Sequence, residues 1–429
     1  MDLFRIHGPT TLRGTVKASG AKNAALPALA ASLLAGEPLE LRRVPRVRDI
    51  RTMRRLLEHL GVASEERGNA LVLVEGGVPA NDGEAPYELV KTMRASVLSL
   101  GPLVARRGRA RVSLPGGCAI GVRPVDQHLA GLEALGAEVR LDGGYVEALA
   151  PRTGSGRRLR GGRYRFTTPT VTGTENLLMA AVLARGTTVL EGCAREPEVV
   201  DLARMLRAMG GCIDGAGTGT IRVEGVDGLG GAHHAVIPDR IEGGTYLIGA
   251  ALTGGDVTLE DAEAADLAPL LETLAAVGAG VEVRGRSVRV HAGGTELRAR
   301  DVGTAPHPGF PTDLQAQYLA LMTRAVGIAE VSENVFENRF QHVPELVRLG
   351  ASIEVHGATA RVEGPTELSG AHVMATDLRA SACLVLAALA ASGESRVHRI
   401  YHLDRGYERM EEKLQRLGGC VERLQEAGP

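Results

Sequence analysis

The sequence predicts an α/β protein of two lobes, each made of three copies of a unit of about 70 residues. An apolar residue followed by glycine recurs at Leu60-Gly61, Leu135-Gly136, Met209-Gly210, Val277-Gly278, Leu349-Gly350 and Leu417-Gly418, and the intervals between those glycines are 75, 74, 68, 72 and 68 residues. Each such glycine closes an amphipathic helix, at a position where positive φ is common and only glycine escapes a Cβ penalty. Between these helices lies a second set, rich in Ala and Leu and apolar nearly all round, which places it inside a layer.

Taken in order, the Ala/Leu-rich helices are expected over 24–34, 94–105, 175–184, 246–252, 314–323 and 379–391. Each leads into a short apolar strand, such as Thr187-Thr188-Val189-Leu190 or Val257-Thr258-Leu259. The amphipathic helix, its glycine, an alternating strand, a polar turn and usually a second strand then complete the unit. A period near 70 is too long for a solenoid and suits a supersecondary unit copied by duplication. Residues 22–237 form the first lobe and 1–21 with 238–429 the second, since the strand segments 3–6 and 14–19 precede the first full unit and are free to pair in the second lobe. Crossings near residues 21 and 237 would make a double hinge, and the cleft it flanks is where a ligand is expected.

Bulk composition narrows the function classes. A chain of 429 residues with 44% hydrophobic and 23% charged residues is that of a folded globular protein of more than one domain. Lys and Arg total 49 against 51 for Asp and Glu, so no global field favours nucleic acid or an anionic membrane, and anions must be held by locally placed groups. Aromatics at 3%, with no Trp, leave few platforms on which bases could stack. Five cysteines without a CxxC pair argue against a disulfide framework and a zinc site and fit a reducing cytosol. The sequence holds no long apolar run and no leader pattern at its start, so neither membrane insertion nor export is expected.

The chemistry concentrates in a few short runs. Pro115-Gly116-Gly117-Cys118-Ala119-Ile120-Gly121-Val122-Arg123-Pro124 cannot settle into a helix or central strand and should form a loop that holds a thiol five residues from a guanidinium. A cysteine between Gly and Ala is often only a small buried residue, whereas a thiol near fixed positive charge is a candidate acid or nucleophile. Ser19-Gly20-Ala21-Lys22-Asn23 puts a lysine at the lobe junction, where the plainer reading is a solvated turn residue. Arg94 and Arg379 each open a helix of otherwise small and apolar residues, which is costly unless the cation is paired or binds an anion. The run 304–313 contains three prolines and a glycine and presents Asp313 on a rigid loop, either as a helix cap or as a general base. Phe336-Glu337-Asn338-Arg339-Phe340 and 401–407, with Arg405, add further cations. There is no GxxxxGK[ST] and no HExxH, and Gly215-Ala216-Gly217-Thr218-Gly219-Thr220 reads as a turn between strands. Scattered cations, a thiol and a carboxylate facing one cleft suggest a metal-independent transferase handling phosphorylated, carboxylated substrates.

Four of these runs, 19–27, 114–126, 306–313 and 336–340, resemble in residue and order the UDP-N-acetylglucosamine 1-carboxyvinyltransferases, a family of enolpyruvyl transferases, and the resemblance spans essentially the whole chain. It implies two lobes that are each an inside-out α/β barrel, with helices at the centre. It implies transfer of the enolpyruvyl group of phosphoenolpyruvate to the 3'-hydroxyl of UDP-N-acetylglucosamine with release of phosphate. That reaction is the first committed step of peptidoglycan synthesis, a cytoplasmic role in cell-wall biogenesis, cell shape and division, and a target of fosfomycin. On the same resemblance Cys118 protonates C3 of phosphoenolpyruvate and can add to C2, and Asp313 takes the proton of the sugar hydroxyl. Lys22, Arg123 and Arg405 hold phosphate and carboxylate, Asn23 lies at the reacting centre, and Arg94, Arg339 and Arg379 contribute to substrate binding. The uridine end rests on Arg123, Pro124, Val125, Asp126 and Gln127, on Val335, and on the loop with Thr168, Thr170, Val171 and Thr172. That loop departs from the family's usual Ser-Val-Gly at positions 170–172. No cofactor, metal or protein partner is implied. The alternatives are a 3-phosphoshikimate 1-carboxyvinyltransferase, which shares the fold but lacks the Cys118 loop, an enolpyruvyl transferase acting on another uridine nucleotide, and a non-catalytic nucleotide-sugar-binding paralogue.

Overall fold

A computed structural model describes residues 2–76, 84–91, 93–114, 125–154 and 156–425. Among the described residues, six four-stranded sheets repeat one strand order. In the first, Ala232–Ala235 runs parallel to Leu39–Arg42, which pairs antiparallel with Ala70–Glu75, which pairs antiparallel with Val62–Arg67. The same parallel, antiparallel, antiparallel series recurs in the other five, for instance from Arg163–Arg165 through Thr187–Glu191 and Thr220–Glu224 to Cys212–Asp214.

The physical reason for the repeat is burial. Strands such as Thr187–Glu191, Tyr145–Leu149 and Ser287–His291 alternate buried and half-buried residues, so one face of each sheet is apolar and needs a cover. The Ala/Leu-rich helices supply it from inside. Arg240–Leu252 and Leu378–Ala390 bury every residue after the first, which no surface helix does. Gly249 brings the first of these within reach of Leu386 of the second, where a Cβ would sit 3.0 Å from a Leu386 methyl carbon. The outer helices are one-sided: Arg48–His59 buries only Asp49, Ile50, Met53, Leu56 and Leu57.

The described residues fold as two compact units, one of residues 20–76, 84–91, 93–114, 125–154 and 156–237, the other of residues 2–19 and 238–425. Each has three of the six sheets, three central helices and its own hydrophobic core. Within the second unit, Asp2–Gly8 pairs with Gly393–His398 and Cys420–Gln425, and Arg13–Lys17 runs parallel to Asp256–Glu260. At the two connections Asp239 N donates to Ser19 O at 2.8 Å and Ala21 N to Ile237 O at 2.7 Å.

The repeat glycines 61, 136, 210, 278, 350 and 418 all have positive φ, between 85° and 108°, as the sequence pattern requires. The inner helices differ from expectation in their ends. The first is α-helical over Lys22–Ala30 and finishes as a 3-10 turn over Ala31–Leu34, while the second opens as a 3-10 turn over Arg94–Ser99 before the α-helix Leu100–Arg107. Close approach is one cause in the second case: Gly101 packs against Asn176, its N donating to Asn176 Oδ1 at 2.7 Å. The run 215–220 is indeed the turn between Cys212–Asp214 and Thr220–Glu224.

Candidate active site

In the unit formed by residues 2–19 and 238–425, the proline-rich run ends in a 3-10 turn, Thr312–Leu314. Phe310 anchors it by packing edge-on against Tyr318, with ring centroids 5.4 Å apart, and Ala305 N closes the loop on Phe310 O at 3.0 Å. Asp313 is not a helix cap: Pro311 holds the N-cap position and no side chain caps the turn. Its carboxylate instead accepts from Arg339 Nη2 at 2.6 Å through Oδ1, and from Arg379 Nη2 at 2.9 Å and Nε at 3.1 Å through Oδ2. These are charge-assisted bonds from two guanidiniums, and they fix both oxygens.

The two arginines come from different elements. Arg379 is the second residue of the helix Leu378–Ala390, whose N-cap Asp377 accepts from Arg379 N at 2.8 Å and Ala380 N at 3.1 Å. The guanidinium stacks over Tyr407 at 5.4 Å, and the Tyr407 hydroxyl meets Thr245 Oγ1 at 3.0 Å and Gln317 Nε2 at 3.1 Å. Burial disfavours the Arg379 charge, but Asp313, Tyr407 and Asp239 more than offset it, so its pKa is raised. Arg339 lies under Phe336 at 5.1 Å and reaches Thr312 Oγ1 at 2.8 Å. Arg405 ends the neighbouring 3-10 turn Ile400–Arg405 and is half-buried, as is Val335, whose N donates to Glu333 Oε1 at 2.9 Å.

In the unit of residues 20–237, Lys22 opens the first inner helix. It is not a solvated turn residue: its side chain is 12% exposed and Nζ lies 3.4 Å from Asp49 Oδ2. Asn23 follows it, half-buried, and Arg94 is likewise half-buried. Val125 is the N-cap of Asp126–Ala134, with Asp126 exposed in its first turn. Gln127 clamps the 167–168 loop, donating from Nε2 to Thr168 O at 3.2 Å and Oγ1 at 3.1 Å and accepting from Thr167 N at 2.8 Å. Thr170 caps the helix Val171–Ala181, its hydroxyl accepting from Gly173 N at 3.3 Å.

Thr172 Oγ1 lies 3.4 Å from Nε2 of His128, whose Nδ1 is 2.9 Å from Asn176 Nδ2. An amide nitrogen only donates, so Nδ1 accepts and the proton sits on Nε2. Burial first, then Arg94, pushes the His128 pKa down to about 4, with Asp126 opposing. Neutral imidazole therefore holds the 170–172 segment to the inner helices.

Sequence reasoning joined the run 306–313 with Phe336-Glu337-Asn338-Arg339-Phe340 and Arg379, and the structure brings Asp313, Arg339 and Arg379 into direct contact. It also joins Gln127 to Thr168. Cys118, Arg123 and Pro124 lie outside the described residues. Reading the sequence missed Asp49, His128, Asn176, Glu333 and Asp377. Their signal was faint: an isolated polar residue in an apolar helix, or an acid a few positions before a cationic run. Among the described residues no group of His, Cys, Asp and Glu could hold a metal ion.

In each unit three inner helices are covered by three sheets of one strand order, and solved enolpyruvyl transferases share this fold. The enolpyruvyl transferase NikO from Streptomyces tendae superposes with a TM-score of 0.87 over 98% of both chains, at 27% identity. EPSP synthase from Acinetobacter baumannii shares the fold, with a TM-score of 0.73 over 99% of this chain and 100% of its own, at 20% identity. The sequence profile of EPSP synthase (3-phosphoshikimate 1-carboxyvinyltransferase) matches residues 6–414, and the chain belongs to that family. Two relatives, from Anaeromyxobacter sp. (strain K) and Solibacter usitatus, are 58% and 56% identical over 427 and 426 residues, 99% of this chain and 100% of theirs; both are named UDP-N-acetylglucosamine 1-carboxyvinyltransferase.

Proposed function

We propose that this chain transfers the enolpyruvyl group of phosphoenolpyruvate to the 3'-hydroxyl of UDP-N-acetylglucosamine and releases inorganic phosphate, a step of peptidoglycan synthesis. The observation that carries this is identity of 56–58% along the full length of relatives named for that activity. NikO, at 27%, is far more distant.

The residues fit the chemistry. The acceptor oxygen adds to C2 of phosphoenolpyruvate while C3 gains a proton, giving a tetrahedral intermediate. Loss of a C3 proton and departure of phosphate then restore the double bond. Cys118 supplies the C3 proton and Asp313 takes the hydroxyl proton, each a general acid or base of ordinary type. Lys22, Arg123 and Arg405 hold the phosphate and carboxylate, stabilising charge that develops at C2. Asn23 orients the reacting centre, while Arg94, Val125, Asp126, Gln127, Val335 and the segment Thr168 to Thr172 receive the nucleotide. We place the enzyme in the cytoplasm on its likeness to relatives named for this activity. Among the described residues no helix is long and apolar enough to cross a membrane.

Phosphate release from phosphoenolpyruvate, measured with and without UDP-N-acetylglucosamine, tests the assignment. Release only with the sugar nucleotide is expected. Equal release in its absence, or release only with a different uridine nucleotide, overturns the acceptor.

A further inference from the structure

Glu333 sits just beyond the strand Gly327–Ser332, 3% exposed, with both carboxylate oxygens engaged. Oε1 accepts from Thr304 Oγ1 at 2.9 Å, Val335 N at 2.9 Å and Phe336 N at 3.1 Å, and Oε2 accepts from Thr312 Oγ1 at 2.8 Å. The Thr312 hydroxyl has one proton, and Glu333 takes it. Its lone pair then faces Arg339 Nη1 at 2.8 Å, and the other terminal nitrogen of that guanidinium binds Asp313 Oδ1 at 2.6 Å. The direction of donation is therefore fixed along the row: Thr312 donates to Glu333, Arg339 donates to Thr312, and Arg339 donates to Asp313.

We propose that Glu333, acting through the Thr312 hydroxyl and the Arg339 guanidinium, is a positioning residue that aims the Asp313 carboxylate. The proposal rests on the reading of Asp313 as the base for the acceptor hydroxyl. A carboxylate that must meet a hydroxyl at hydrogen-bond distance loses rate steeply when its aim drifts by an ångström. Both Arg379 bonds meet at Oδ2 of Asp313, and two bonds to one oxygen do not fix where the other oxygen points. Arg339 closes this freedom, and the plane of Arg339 is set by Thr312. The same Glu333 oxygen that receives Thr304 also receives two main-chain N–H groups of the loop leading to Arg339. One buried anion thus references the base and its cation to a common point.

Three variants test it. Thr312→Val keeps the shape and three of the four Glu333 bonds but removes the link to Arg339; Thr312→Ser restores the hydroxyl. In Glu333→Gln the amide NH2 can face Thr312, so the hydroxyl receives two donors and its own proton is displaced from the row. We expect kcat to fall about 10- to 100-fold in Thr312→Val and Glu333→Gln, KM for the sugar nucleotide to stay within about threefold, and Thr312→Ser to recover most of the rate. The double variant should be no slower than the slower single, because both break one chain. A purely structural Glu333 would instead lower the melting temperature and leave kcat of the folded fraction unchanged. Normal kcat in Thr312→Val, or losses that multiply in the double variant, overturns the proposal. Asp313→Ala in the same assay separates the premises: if it turns over normally the base reading falls, whereas if it is dead while Thr312→Val matches the parent, only the positioning role falls.

Discussion

Oδ2 of Asp313 accepts two hydrogen bonds from one side chain, Nε at 3.1 Å and Nη2 at 2.9 Å of Arg379, a residue that is 3% exposed. A lysine cannot reproduce such a fork, since its ammonium is a compact point charge. Arg379→Lys should therefore lose activity almost as fully as Arg379→Ala, as read from phosphate release. Removing one partner of a fully buried pair costs about 3–5 kcal/mol, and less is expected here because a quarter of the Asp313 side chain, 25%, meets solvent. If Arg379→Lys retained more than about half the activity, the two-pronged contact would be dispensable.

Asp313 and the cations that hold phosphoenolpyruvate should fail differently. A base acting in the transition state lowers kcat when removed, while the cations also weaken substrate capture. Asp313→Ala is expected to abolish turnover and leave UDP-N-acetylglucosamine binding within about tenfold, roughly 1.4 kcal/mol. Calorimetric titration showing a much larger loss would assign Asp313 to binding.

Thiol reactivity should sort by burial and by anion capture. Burial pushes the Cys193 thiol up to about 11 and Cys383 well above its ordinary value, whereas Cys212 and Cys420 are exposed. A neutral alkylating agent should mark Cys212 and Cys420 and spare the buried pair. An epoxide phosphonate such as fosfomycin should add once, at Cys118, and more slowly in Lys22→Ala or Arg405→Ala, whose cations would hold the phosphonate. Peptide mapping that finds the phosphonate adduct on Cys212 or Cys420 would sink the assignment.

Much of the fold could be read from the chain because its cues are local. The six glycines and the inner helices follow from apolar periodicity and helix ends, which depend on residues a few positions apart. The site was legible only where unusual residues cluster: Asp313 after three prolines, Arg379 at the head of an apolar helix. Glu333 and Thr312 looked ordinary. Their meaning lies in a contact across 21 positions, and for Asn176 and His128 across 48, and no sequence periodicity encodes such pairings.

Acid should destabilise the protein partly through His128. Its pKa is about 4 in the folded state against 6.5 ordinarily, so between those values the unfolded chain binds the extra proton. Stability is then full above about pH 6.5 and is lost as pH falls toward 4, on the order of 3 kcal/mol when complete. Glu175 works in the opposite sense: burial, reinforced by Glu198 and Glu196, raises its pKa, so it favours the fold at low pH and loses that contribution as pH rises. The readout is therefore a difference. His128→Gln should show a shallower fall in Tm between pH 6.5 and 4.5 than the parent, and parallel curves would exclude His128 as the titrating group.

Close packing beside the same histidine gives a stability test. A Cβ on Gly101 would lie 2.3 Å from Asn176 O and 2.5 Å from Asn176 Oδ1, where main chain cannot yield. Gly101→Ala should cost about 1–3 kcal/mol as overpacking does, lowering Tm by a few degrees or more in thermal melts. An unchanged Tm would mean that the helices at 100–107 and 171–181 separate more easily than their contact suggests.

The place of Asp2–Gly8 between Gly393–His398 and Cys420–Gln425 sets an order of events during synthesis. The strand leaves the ribosome before either neighbour, since Gly8 and its partner Gly393 are 385 positions apart. At about 5–20 residues per second the nascent strand waits on the order of tens of seconds for them. The described residues between 20 and 237, whose strands pair among themselves, have these partners well before that, and can fold while the remainder is still being translated. A strand made early is thus the closing piece of a sheet whose other members come much later.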